Sequence, residues 1–181
     1  MIIKKTLSIF ILGLLVTAVG CKSTNSDTGV SSGTISATID GKSWEGQGGS
    51  GVKQSINMGT GKITTVTAVA AKVLDTSTGD SETMEVSIYG EVGAESIAKR
   101  TYNISTNSNN KQSAQFSFIS MVKGEMVSYV ATSGSVTVEG ISDDNVKGTF
   151  EGTLTNARDA NDIKEVTNGG FNVDFTFSYD F

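Results

Sequence analysis

From Phe171 to Phe181 the chain alternates without a break: Phe171, Val173, Phe175, Phe177, Tyr179 and Phe181 interleave with Asn172, Asp174, Thr176, Ser178 and Asp180. A period of two predicts a strand with one dry and one wet face. The same rhythm places Met84, Val86 and Ile88 opposite Glu85 and Ser87, and puts Val146, Phe150 and Leu154 on one face with Gly148 and Gly152. It also groups Ile35, Ala37 and Ile39, and pairs Val136 with Val138. Residues 62–74 are apolar on both faces near their centre, as a covered strand would be.

Turn-forming residues separate these segments: Asp40-Gly41, then residues 75–80, 105–111, 123–125, 142–145 and 157–162. Residues 46–61 are glycine-rich and read as a connection holding at most one short strand, and residues 94–99 as one turn of helix. No helix-length amphipathic run is present. The expected fold is all-β, an antiparallel meander of roughly 8–10 strands forming a barrel or a two-sheet sandwich, both of which bury one face of every strand.

The first residues follow a different pattern. Lys4 and Lys5 precede an apolar run from Leu7 to Val19, which matches a secretory signal and is short for a bilayer span. Ala18, Val19, Gly20 and Cys21 resemble a bacterial lipobox, so residues 1–20 are expected to be a lipoprotein signal peptide and Cys21, the single cysteine, the site of lipidation. Residues 21–32 then form the lipidated cysteine and a polar tether. Residues 33–181 form a single β domain. Lys22 is not the aspartate associated with inner-membrane retention, which points to the outer membrane, with the lipid anchor as the contact with the membrane.

Charge and composition narrow the chemistry. Removing residues 1–20 takes away two lysines and no acid, moving the formal charge from −5 to −7, which argues against a nucleic-acid surface. The chain has no histidine, and a lipidated Cys21 is no nucleophile, which excludes Ser-His-Asp and Cys-His arrangements. Carboxylate pairs remain, from Glu82, Glu85, Glu91, Glu95, Glu139 and Glu151, yet the alternation assigns most of them to solvated faces. Oxygen-rich loops at Asp75–Asp80, Asp143–Asp144 and Asp159–Asp162 lack the spacing of a twelve-residue calcium loop and read as turns. Trp44 reads as the core anchor of the first hairpin, with stacking on a sugar or apolar ligand as the sharper alternative. The glycine-rich stretch 46–51 lacks the ending of a phosphate loop. No catalytic residue, no cofactor and no metal site is expected. A final strand closing on Phe181 has the look of an outer-membrane barrel signal, but the segments 34–39 and 135–139 look too short to span.

The lipobox at Cys21, the segment TISATIDGKSWEG at 34–46, RTYNI at 100–104, residues 134–154 and TNGGFNVDF at 167–175 together resemble a family of uncharacterised Bacteroidota cell-envelope lipoproteins. The resemblance implies an exported all-β domain, calycin-like or sandwich-like, and carries no catalytic residues. The expected function is that of a non-catalytic, lipid-anchored envelope protein binding a small apolar or glycan ligand, with residues 46–61 and 105–113 as contact loops. The alternative is an adhesion or accessory protein working through protein-protein contacts. A hollow interior would favour the first, and a filled core with an exposed patch the second.

Overall fold

The computed structural model describes residues 29–57, 61–93, 97–105 and 112–180. It contains nine strands: β1 (Thr34–Ile39), β2 (Lys42–Asn57), β3 (Lys62–Asp75), β4 (Asp80–Tyr89), β5 (Thr101–Asn103), β6 (Ser113–Val122), β7 (Glu125–Ile141), β8 (Asn145–Asn156) and β9 (Ile163–Asp180). Eight of them, all but β5, follow one another around a ring that closes where β7 meets β8 and β9 meets β1. The fold is therefore a barrel and not a sandwich. Neighbouring strands run antiparallel except at one seam: β1 is only six residues long, and beyond it β2 and β9 pair directly and in parallel, from Ser50 with Asp174 to Ser55 with Asp180.

An eight-stranded barrel is just wide enough for side chains to fill it. The inward positions do so. Ile35, Val66, Met84, Val86, Ile88, Phe116, Val136, Leu154 and Phe171 are all fully buried. Phe116, Phe150 and Phe171 pack in succession through the interior, with ring centroids 5.2 Å and 6.5 Å apart. Trp44 meets Phe118 edge to face at 6.0 Å, a favoured arrangement of aromatic quadrupoles.

Around β3, β4 and β6 the outer surface is largely polar. Register pairs Thr67 with Ser87 and Ser87 with Gln115, and likewise Glu85 with Ser117, on the side away from the core. A barrel that crosses a bilayer presents the reverse arrangement, apolar outside. This composition argues against a spanning barrel, and so does the six-residue β1, whereas residues 135–139 belong to the 17-residue β7 and are not short.

Two sequence expectations need correction. The glycine-rich stretch 46–57 is strand, not connection. Gly46 is required by packing, because a Cβ there would lie 2.6 Å from the Trp44 ring, while Gly48 adopts φ +66° in a bulge between Gln47 and Ser50. The last strand also fails to keep one dry face. A register shift between Gly51 and Val52 in the β2–β9 seam reverses the facing of the residues beyond it, so Phe171 and Val173 are buried, but Phe177 and Tyr179 stack on each other outside.

The two ends differ. One carries four of the hairpin turns, β1–β2, β3–β4, β6–β7 and β8–β9. The other is plugged: Ile97 is 2% exposed, and the buried Tyr102 both donates to the Ala98 carbonyl and accepts from the Ala98 amide at 2.9 Å. Of the turn expected at 94–99, residues 94–96 lie outside the described residues, and Ile97–Lys99 are irregular, with Ile97 turned into the barrel end. Residues 30–33 join this plugged end, where Asn172 Nδ2 donates to the Val30 carbonyl and the Gly33 amide to the Asn172 carbonyl.

Candidate functional site

At the hairpin end the inward rows of the sheet change character. One row runs Ala70, Met84, Phe118 and Tyr129 across β3, β4, β6 and β7. The next row toward the opening runs Lys72, Glu82, Ser120 and Val127. Strand geometry aims both rows into the barrel, so the apolar filling ends on an aromatic floor and charged side chains stand above it. Ile39, Asp40, Lys42, Ser43, Trp44 and Lys164 complete a cup of about 370 Å³. That volume lies at the small end of the range for ligand sites.

One side of the cup is fixed by a side-chain network. Asp40 occupies the hairpin turn at φ +49°, and its Oδ1 accepts from the Glu165 amide at 2.9 Å. Its Oδ2 accepts from Lys164 Nζ at 3.3 Å, and the same ammonium sits 4.7 Å from the centre of the Tyr129 ring. Burial works against the Lys164 charge, but Tyr129 and Asp40 outweigh it and its pKa is raised. Tyr129 donates its phenol proton to Asp162 at 2.8 Å, and its own pKa is raised by burial and by that carboxylate. Asp162 also accepts from Asn156 Nδ2 at 2.8 Å; that bond, with Tyr129's, lowers its pKa.

Three groups in the cup are left without a partner among the described residues. The indole Nε1–H of Trp44 is buried and meets no acceptor among the described residues. Lys72 stands opposite Glu82 in the sheet register, yet neither it nor Lys42 forms an ion pair among the described residues.

The candidates drawn from the sequence fall in scattered places. Trp44 is the core anchor, 4% exposed, and offers no open face for a sugar. Of the glutamates singled out in the sequence, Glu82 alone belongs to the cup; Glu85 and Glu151 lie on the outer face, and Glu95 is outside the described residues. The acidic loops are occupied by turn chemistry: Asp75 accepts from Ser77, Asp159 from Asn161, and Asp143 pairs with Lys53 at 3.6 Å. Among the described residues no three acidic or cysteine side chains converge. The described residues of 46–61 and 105–113 do not line the cup; Gly61, Ser105 and Gln112 belong to the plugged end. Cys21 lies outside the described residues. Sequence reading misses the rim itself. Its signal is parity, since Lys72 and Glu82 share the phase of Ala70 and Met84.

Comparison of the chain with protein-family models, with characterised proteins and with solved structures finds no match.

Proposed function

We propose that this protein is a non-catalytic, lipid-anchored envelope protein of the Bacteroidota lipoprotein type, which binds a small ligand at the hairpin-end mouth of its barrel. The observation that carries the reading is the change along the inward rows, from aromatic floor to charged rim, around a cup of about 370 Å³. A barrel built only for stability has no need to aim Lys72 and Glu82 along its inward face. The filled interior confines the ligand to the mouth. Attachment through Cys21 also suits this use, because the chain joins β1 at the plugged end, and the cup would then face away from the bilayer.

The adhesion reading draws on two features: the filled interior, which favours it over a hollow ligand carrier, and an exposed apolar patch. Val73, Leu74, Met121, Val122 and Met126 are exposed at the tips of the β3–β4 and β6–β7 hairpins, on one side of the same mouth. They make an apolar lip that a partner protein would cover.

Native mass spectrometry of the unlipidated protein after exposure to an envelope extract separates the two. A discrete, saturable adduct of small mass supports the ligand reading. A bare chain, with folding verified, removes that support and turns attention to protein partners.

A further inference from the structure

We propose that the cup selects a small organic anion, with a flat apolar body resting on Phe118, Tyr129 and the edge of Trp44 and an acid group held between Lys42 and Lys72. This rests on the mouth being a ligand site and names the class of ligand.

The charges point one way. The cup contains three ammonium groups, Lys42, Lys72 and Lys164, against two carboxylates, Asp40 and Glu82, in a chain whose formal charge is −5. Asp40 is already committed, with one oxygen on the Glu165 amide and the other on Lys164. Glu82 makes no ion pair with the lysine facing it in register. Lys42 and Lys72 therefore keep their donors free toward the opening, and Ser43 and Ser120 add hydroxyls beside them.

A second observation is independent of charge. Trp44 is more than nine-tenths buried, lines the cup, and has an N–H with no acceptor among the described residues. Leaving a buried donor unpaired is unfavourable, so native proteins rarely do it without a reason. An acceptor oxygen brought to that N–H would satisfy it. The two free ammonium groups and an orphan N–H disfavour a cationic ligand and give a neutral hydrocarbon nothing to pair. A cup of this volume holds about a dozen non-hydrogen atoms, near the lower limit of ligand sites.

The test uses 3-phenylpropionate and its uncharged amide as matched probes on ¹⁵N-labelled protein. The single tryptophan gives one indole N–H signal, and the amide spectrum verifies folding of every variant. The expected result is a saturable shift of that signal by the acid, with the amide binding roughly tenfold or more weakly, as loss of a charge-assisted contact implies. Lys72→Gln and Lys42→Gln each weaken the acid and leave the amide unchanged. Equal binding of acid and amide overturns the anion inference and leaves the mouth as a site. No shift with either probe at millimolar concentration also overturns it, while an adduct from the envelope extract would still uphold the ligand reading.

Discussion

The phenol of Tyr129 donates a 2.8 Å hydrogen bond to Asp162, joining the floor of the cup on β7 to the turn between β8 and β9. The carboxyl of Asp162 is held below its ordinary pKa by Asn156 and Tyr129. A depressed folded-state pKa contributes stability above the unfolded value, and that contribution is lost as pH falls through the folded one. The melting temperature should therefore fall on acidification below about pH 4. Tyr129→Phe should melt lower than the parent at neutral pH, and the gap should narrow toward about pH 2 as Asp162 is protonated. Thermal melts across pH check both; a gap that is constant with pH would show that the bond does not involve the carboxylate.

Gly148 is where β8 passes tightly between β7 and the core. A Cβ there would lie 2.1 Å from the Thr137 carbonyl oxygen and 2.6 Å from the Phe171 ring. Backbone on one side and a fully buried ring on the other leave no room, so Gly148→Ala should destabilise by about 3 kcal/mol or more. Gly46→Ala meets the Trp44 ring at 2.6 Å and should lower stability less, because a side chain yields more readily than backbone, while shifting the tryptophan emission. Urea unfolding monitored at Trp44 measures both.

Phe171 and Phe177 belong to one alternating run, and the register shift in the seam gives them opposite fates. Phe171→Ala should cost about 3–5 kcal/mol by opening a cavity beside Phe150. Phe177→Ser, on a side chain 55% exposed, should change stability by about 0.5 kcal/mol or less. Equal losses for the two would mean that the strand keeps a single dry face to its end.

That pair also marks how far the sequence can be read. Alternation locates the strands, and the turn residues locate Asp40-Gly41, 76–79 and 123–124, because both signals are local. Closure is not local. The β7–β8 and β8–β9 hairpins are legible, but the seam between β2 and β9 depends on β1 stopping at six residues, which periodicity does not encode. Gly46 and Gly48 mislead for the same reason: glycine marks close packing and bulges as readily as loops. The cup is half legible. Lys72, Glu82 and Ser120 follow the inward phase of their strands, whereas Lys164 and Asp40 come together only through the β1–β9 pairing.

The apolar lip yields a further expectation. Met121→Ser with Met126→Ser, on facing positions of the β6–β7 hairpin, should leave stability near the parent's, since both side chains are more than 40% exposed. It should also leave small-ligand binding intact if the lip serves a partner protein. Loss of ligand binding in this double variant would make the lip part of the ligand site.

Whether the mouth is where this protein binds is decided by amide chemical shifts that map where components of an envelope extract touch the folded chain. Binding at the mouth requires saturable changes confined to Ile39–Trp44, Lys72, Glu82, Phe118–Ser120, Val127–Tyr129 and Lys164, the residues around the hairpin end. Changes centred instead on Gly61, Ser142–Asn145 and Ser178, at the plugged end, would refute it.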